Sequence, residues 1–249
     1  MRILLNADIG ESYGPWTMGD DESLMSVIDM ANIACGGHAS DPLTMTKTVR
    51  LALGHKVTLG AHPSYPDRLG FGRRPMVLPP EELSAHLIAQ IGALQAIAKA
   101  EGGELSYVKP HGALYNTMIR EAEVMRAVMK AVADVNKGLN KGLNLMILAT
   151  ARMDEHETLA RSYGLTLIKE AFADRRYCAN GELQDRKIPG SVYHEWDLIQ
   201  AQVKQLVDNQ SVTTDGGESI PIRAESLCVH GDNPESVRVA HAIRDLLNS

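Results

Sequence analysis

The chain has 249 residues, 44% apolar and 22% charged, with a formal net charge of −6. That length is enough for one large core, the composition is that of an ordinary globular protein, and the absence of a basic block argues against a nucleic-acid partner. Three widely spaced cysteines, Cys35, Cys178 and Cys228, do not make a disulfide framework and fit a reducing cytoplasm.

The N-terminal MRILLNADIG turns polar too soon for a signal peptide, and no apolar run is long enough to span a bilayer, so no membrane association is expected. Short apolar runs at Ile3–Ala7, Met30–Ala34, Val57–Gly60, Leu105–Val108, Leu143–Ala149, Leu165–Ile168 and Ser226–Val229 predict strands covered on both faces. Helical stretches separate most of them. Asp41-Pro42 opens one, with Asp as N-cap and Pro at the first helical position. Pro79-Pro80-Glu81-Glu82 opens another, whose apolar period runs through Leu83, Leu87, Ile91 and Leu94. Further helices are predicted over Met118–Val135, Arg152–Tyr163, His194–Val207 and from Asn233-Pro234 to Leu247. Residues 180–191 read as a loop or hairpin excursion, and Ser211–Arg223, with Asp215-Gly216-Gly217 at its centre, as a β-hairpin beside the main sheet. No linker divides the chain. A β-α unit repeated about seven times over residues 1–249 predicts one α/β domain, an irregular (β/α) barrel of about seven parallel strands.

The polar residues gather where these strands end. The first runs into Asn6, Asp8 and Glu11, the second into His38, the third into His62, and the fourth into Lys109, His111, Tyr115 and Asn116. The sixth runs into Lys169, Glu170, Asp174 and Arg175, and the last into His230 and Asp232. In a closed barrel these loops converge on one rim, where such barrels place their active sites. The other histidines, His55, His86, His156, His194 and His241, fall in helices and are expected at the surface. Gly70-Phe71-Gly72-Arg73-Arg74 reads as a flap with a basic tip, in which Arg74 or Arg73 can pair with Asp67. Cys35 and Cys228 are expected as small buried thiols rather than nucleophiles.

Six segments, LNADIGE, ANIACGGHASDP, GAHPSYPDRLGFGRR, VKPHGALYN, EAFADRRY and CVHGDNP, occur in this order from Asn6 to about Leu247. Together they resemble the LamB/YcsF family, whose members are the A subunit of bacterial 5-oxoprolinase. The resemblance implies a barrel similar to the glycoside hydrolase/deacetylase type. It also implies ATP-dependent opening of the 5-oxoproline lactam to glutamate, Mg2+ accompanying the ATP, and partner subunits B and C.

Opening a lactam needs an activated carbonyl oxygen, a base for water, and a proton for the leaving nitrogen. Candidate catalytic groups are Asp8 and Glu11 as bases, Lys109 and His111 as stabilisers of the oxygen, and His230 with Asp232 as an acid–base pair. Candidate substrate-binding groups are Asn6, His38, His62, Arg73, Tyr115, Asn116, Glu170 and Arg175, the last as a fork for the substrate carboxylate. The lesser reading of Asp8 is a turn cap, and the alternative for Glu11 is an ordinary solvated loop. The histidines of the rim could hold a metal, as in a metal-dependent amidohydrolase or deacetylase. No His-x-His, His-Glu-x-x-His or Cys-x-x-Cys is present, so no transition metal is expected. A third possibility is a chain that only holds the substrate for a partner enzyme. No G-x-x-x-x-G-K-[ST] loop is present to cradle ATP, so the chain alone is not expected to turn over 5-oxoproline.

Overall fold

A computed structural model describes residues 3–231 and 233–248. Seven parallel strands close a barrel: β1 (Leu4–Ile9), β2 (Met30–Ala34), β3 (Thr58–His62), β4 (Tyr107–Val108), β5 (Asn144–Leu148), β6 (Leu167–Phe172) and β9 (Ser226–Val229), with β9 pairing back to β1. Around them stand α1 (Asp21–Met25), α2 (Pro42–Gly54), α3 (Pro80–Ala100), α4 (Gly112–Arg120), α5 (Ala122–Asn136), α6 (Met153–Ser162), α7 (Trp196–Asn209) and α8 (Pro234–Asn248). The hairpin expected near Asp215 is an antiparallel pair apart from the barrel, β7 (Ser211–Thr213) with β8 (Ser219–Pro221). No helix among the described residues is long and apolar enough to cross a membrane.

Each strand shows one set of side chains to the helices and the alternate set to the barrel interior. Leu5, Ala7, Ile9, Ala31, Ile33, Leu59, Ala61, Val108, Leu145, Ile147, Ala171 and Leu227 belong to the large outer core under the helices. The inner set begins at the floor with Met30, Tyr107 and Met146, packed with Ile168 in a separate apolar cluster. It turns polar toward the C-terminal ends of the strands. The register Asp8↔Asn32, Asn32↔Gly60 and Gly60↔Tyr107 brings the inner residues of four strands level with one another. Gly60 makes room for the large member of this set: a Cβ there would lie 2.1 Å from the Tyr107 ring.

Three features differ from the sequence expectation. The long helix over 118–135 is two helices, parted at Glu121, whose backbone is extended (φ −116°, ψ 109°). The first of them starts at Gly112, so His111 is its N-cap residue and the strand-to-helix turn is very short. The sixth strand lies later than Leu165–Ile168, so Lys169 and Glu170 are inside it and point to opposite sides. Lys169 faces outward to Glu157 and Glu225, while Glu170 is wholly buried inside the barrel. The α2 start is as expected: Asp41 accepts from the Leu43 and Thr44 backbone N–H groups, and Pro42 is the first helical residue.

Candidate functional site at the barrel mouth

Lys109, one residue beyond β4, points across the interior. Its ammonium lies 2.7 Å from Glu170 Oε1, 3.1 Å from Asp8 Oδ1, 3.1 Å from Asn6 Oδ1 and 3.3 Å from Cys228 Sγ. Burial works against its charge, but Asp8 and Glu170 outweigh that and hold it well above the usual lysine range. Burial likewise opposes ionisation of Asp8, yet His62 and Lys109 hold this carboxyl well below the usual carboxylate range. Lys109 and Asp8 are thus set as an ion pair in the barrel mouth with the Glu170 carboxyl beside the ammonium, and each of the three is hydrogen-bonded besides. Asn32 donates to Asp8 Oδ1 (2.8 Å) and to Asn6 Oδ1 (2.7 Å), and accepts from the Tyr107 hydroxyl (2.7 Å). Asn6 donates to Ser226 Oγ, and the Tyr115 hydroxyl donates to Glu170 Oε2 at 2.5 Å.

Beside this cluster stand three histidines. His62 Nδ1 is 2.7 Å from the Lys109 carbonyl oxygen, and its Nε2 is 2.9 Å from His111 Nδ1 and 3.3 Å from Asp8 Oδ2. His111 Nε2 is 2.9 Å from the Phe71 carbonyl oxygen. His38 stacks flat on His111, with centroids 3.7 Å apart and planes within 3°, and its Nε2 is 3.1 Å from Glu11 Oε1. Burial holds His38 and His111 well below the usual imidazole range. The expected flap is packed against these rings. Phe71 meets His38 and His111 edge-on, and a Cβ on Gly72, whose φ is +63°, would come within 2.9 Å of both.

A cavity of about 440 Å³ opens above. Asp8, Glu11, His62, Arg73, Lys109, His111, Tyr115, Asn116, Arg175 and His230 all line it. Ten of the expected site residues therefore meet in one place. Three others do not reach it. Asn6 and Glu170 are wholly buried below the mouth and act on Lys109, and His38 lies behind His111, so none of the three is placed to touch a substrate. Asp232 lies outside the described residues; the acid facing His230 is Asp174, with His230 Nε2 3.6 Å from its Oδ2. Arg74, not Arg73, is the partner of Asp67, which leaves Arg73 to lie over the Phe71 ring at the cavity edge. His156, expected at the surface, is buried in α6. Cys35 is a buried thiol pushed up to about 12 by that burial, consistent with a packing role.

The far wall was not foreseen as part of the site. Residues 180–191 fold back over the mouth, tied by bridges between Arg175 and Val192 and between Tyr177 and Leu183, and bring Gln184, Asp185, Arg186 and Lys187 to the cavity. Arg175 is buried beneath them. It donates to the Gln184 carbonyl oxygen through Nη2 (2.6 Å), while its Nε has no hydrogen-bond partner among the described residues. Desolvation lowers this guanidinium to about 10, which leaves it charged at neutral pH. Asn32, Tyr107 and Ser226 were also missed. The one signal for them was a polar residue at alternate positions of otherwise apolar strands.

Comparison with known proteins agrees with this architecture. The chain is 49% identical over 246 residues to the A subunit of 5-oxoprolinase from Vibrio cholerae serotype O1 (strain O395), covering 99% of this chain and 98% of that one. It is 48% identical over 247 residues to the A subunit of 5-oxoprolinase from Pseudomonas fluorescens (strain Pf0-1), covering 99% and 97%. The crystal structure of a lactam utilization protein from Thermus thermophilus superposes with a TM-score of 0.88 at 40% identity, over 100% of this chain and 96% of that one. The family model described as LamB/YcsF family matches residues 3–249, nearly the whole barrel: this chain belongs to the LamB/YcsF family.

Proposed function

We propose that this chain is the A subunit of an ATP-dependent 5-oxoprolinase, which opens the lactam of 5-oxo-L-proline to L-glutamate as ATP is hydrolysed to ADP and phosphate. Subunits B and C are its partners. The observation that carries this reading is the cavity itself. A carboxylate held ionised by His62 and a buried lysine lines one wall, and a buried arginine whose Nε has no hydrogen-bond partner among the described residues lies at the other. The names of the relatives, the A subunit of 5-oxoprolinase and a lactam utilization protein, support the same substrate class.

A substrate with a carboxylate and a cyclic amide suits these two walls. Arg175, with Arg73 at the edge, takes the carboxylate. This fixes the ring so that its carbonyl carbon faces Asp8. Asp8 Oδ1 is committed to Asn32 and Lys109, so Oδ2, which stands 3.3 Å from His62 Nε2, is the oxygen that accepts a proton from the attacking water. Glu11, oriented by His38, is a second acceptor on that wall. The fixed positive charge of Lys109 stabilises negative charge that develops on the carbonyl oxygen, with no reorganisation during the reaction. His230 faces the cavity as the donor to the nitrogen released when the C–N bond breaks. ATP, with Mg2+, would supply phosphorylation of the amide oxygen, which turns a resonance-stabilised amide into a better electrophile. The chain carries no Walker-type loop of its own for that nucleotide, so the coupling belongs to the assembled subunits.

Reconstitution tests the reading. Glutamate and ADP are expected from the three subunits together, and from this chain alone neither. Asp8→Asn in the reconstituted enzyme is expected to cut glutamate formation by roughly 10²–10⁴-fold while the chain stays folded by circular dichroism. Arg175→Lys is expected to act mainly on KM. Glutamate release at the full rate by the isolated chain, or near-native turnover by Asp8→Asn, would sink the proposal.

A further inference from the structure

Single exposed apolar side chains are ordinary, but one sector of the rim holds five. Trp16 is 69% exposed, Leu43 61% and Leu69 97%, and Tyr13 and Met18 are open beside them. The loops that carry them are tied to one another. Tyr13 and Trp16 pair backbone to backbone across a tight turn, and their rings stack with planes within 6°. Gly14 makes that turn at φ +53°, and its N–H donates to Asp41 Oδ2 (2.9 Å) at the start of α2, which brings Leu43 to the same sector. The Arg68 guanidinium lies 4.3 Å over the Tyr13 ring and donates to the Gly36 carbonyl oxygen (2.6 Å), which holds Leu69 beside the turn. The Met18 N–H donates to Ser12 Oγ (3.0 Å). An exposed tryptophan fixed in this way has its ordering cost met before any partner arrives.

Size and charge say what fits there. The five residues leave roughly 600 Å² open to water, which matches the largest patches of ordinary monomers and is most of the about 800 Å² that each side of a standard interface buries. The acids of these loops are already committed: Asp20 caps α1, Asp41 caps α2 and Asp67 holds Arg74. Glu22 beside the sector and Asp185 on the cavity edge are left exposed. Against them stand Arg68, Arg73, Arg186 and Lys187, none of which has a carboxylate partner among the described residues. A symmetric contact between two copies of the chain would set this surface against itself, cation against cation, so a second copy fits poorly. A different chain, with an apolar face bordered by carboxylates, fits on both counts.

We propose that the sector formed by Tyr13, Trp16, Met18, Leu43 and Leu69 is the docking surface for an unlike partner subunit, apolar at its centre and acidic at its border. Trp16 is the anchor, a large rigid ring of the kind that carries most of the energy of an interface. The surface is continuous with the site. The loop of Trp16 also carries Glu11 into the cavity, and the loop of Leu69 continues through Phe71 to Arg73 at the cavity edge. A subunit seated there stands beside the mouth, where a nucleotide that this chain has no Walker-type loop to hold can be brought to the lactam. The inference rests on the reading of this chain as one subunit of a 5-oxoprolinase. None of the five residues lines the cavity, so changing them tests docking apart from chemistry.

The test uses the full-length chain with its B and C subunits. Calorimetry and gel filtration follow association. Fluorine NMR of the fluorotryptophan-labelled chain, mixed with unlabelled partners, follows its two tryptophans, Trp16 and Trp196, with Trp16→Phe assigning the signals. The Trp16 signal is expected to move on assembly and to lose its solvent isotope shift. Trp16→Ala and Leu69→Asp should each weaken association by about 30-fold or more, in the range of interface anchors, and Arg68→Glu by about 10-fold. Val207→Asp, an exposed change on α7, should leave association unaltered. In the mixture, the docking variants should raise the partner concentration needed for half-maximal glutamate formation by a similar factor and keep the plateau. If Trp16→Ala does not fold by circular dichroism, Leu69→Asp and the Trp16 signal of the native chain decide the matter. Association unchanged in Trp16→Ala and Leu69→Asp, a Trp16 signal still open to water in an assembled, glutamate-forming mixture, or self-association of the chain alone that covers Trp16 would overturn the surface. Docking at Trp16 with no glutamate formed would leave the surface standing and overturn the activity instead. Failure of the native chain to associate with either subunit would overturn both.

Discussion

Tyr107 and Lys109 are two residues apart, point the same way into the barrel, and live under different rules. Around the Tyr107 ring, Met30, Met146 and Ile168 fill the floor with apolar volume, and only the hydroxyl reaches upward, to Asn32. Around the Lys109 ammonium, Asp8, Glu170 and Asn6 are held by charge and hydrogen bonds, and Cys228 adds a thiol contact. The floor is fixed by shape, and errors there are errors of volume. The mouth is fixed by pairing, and an error there leaves a buried charge alone. One barrel interior thus supplies a rigid base and, about 7 Å higher along the strand, a set of ions that cannot relax toward a substrate.

The widest test of this contrast exchanges an interior side chain at each level while keeping its bulk. Lys109→Met retains the length of the side chain but strands Asp8 and Glu170 in the barrel. Removal of one partner from a buried ion pair costs about 3–5 kcal/mol, and that loss is expected in urea unfolding, together with loss of turnover. Met146→Leu on the floor changes shape at nearly constant volume and should cost under about 1.5 kcal/mol. Similar losses for the two substitutions would mean that pairing does not distinguish the mouth from the floor.

A smaller effect separates the levels sterically. Gly60 faces the Tyr107 ring, and Gly60→Ala would set its methyl 2.1 Å from ring carbon. Overpacking of this kind costs about 1–3 kcal/mol. Because the obstacle is one side chain, the penalty should shrink in a Tyr107→Leu background, and a double-mutant cycle would measure the coupling. Additive effects would show that Gly60 is needed for some reason other than the Tyr107 ring.

These residues also mark where the sequence was legible. The β-α rhythm, the barrel of about seven strands and the polar strand ends could all be read, because buried parallel strands are short apolar runs and their C-terminal loops carry the polar groups. The inner layer was harder. Asn32 in Met30-Ala31-Asn32-Ile33-Ala34 and Ser226 beside Leu227 look like minor interruptions of an apolar run, and only closure of the barrel shows that these positions face one another. The same closure explains why Asn6, His38 and Glu170 lie behind the groups that line the cavity. Sequence order places a residue at a strand end but not at a depth. Residues 180–191 could be seen to leave the barrel rhythm, but the turn that brings Arg186 and Lys187 back over the mouth depends on the bridges to Arg175 and Tyr177.

The smallest expected effect concerns a carboxylate that lacks what Asp8 has. Asp21, at the start of α1, accepts one hydrogen bond from the Gly10 backbone N–H (3.0 Å). Burial raises it to about 6 from 3.8, Gly10 offsets part of that, and the nearby charges of Glu11 and Asp20 add to it. The folded protein therefore keeps a proton that the unfolded chain releases at lower pH, and stability falls as pH rises from about 4 to about 6, then levels off. A shift of this size corresponds to at most roughly 3 kcal/mol; partial exposure and salt screening reduce the expectation to about 1 kcal/mol. Asp21→Asn keeps an acceptor for Gly10 and removes the charge. It should match the native protein near pH 4 and exceed its stability by about 1 kcal/mol at pH 7, in urea unfolding followed by circular dichroism. Asp8→Asn, by contrast, removes a carboxylate held ionised by its neighbours and should gain nothing at pH 7. An Asp21→Asn protein that is less stable than the native one at pH 7, or a gap that does not change with pH, would show that Asp21 already has a cationic partner in solution and that the two aspartates do not differ as their surroundings suggest.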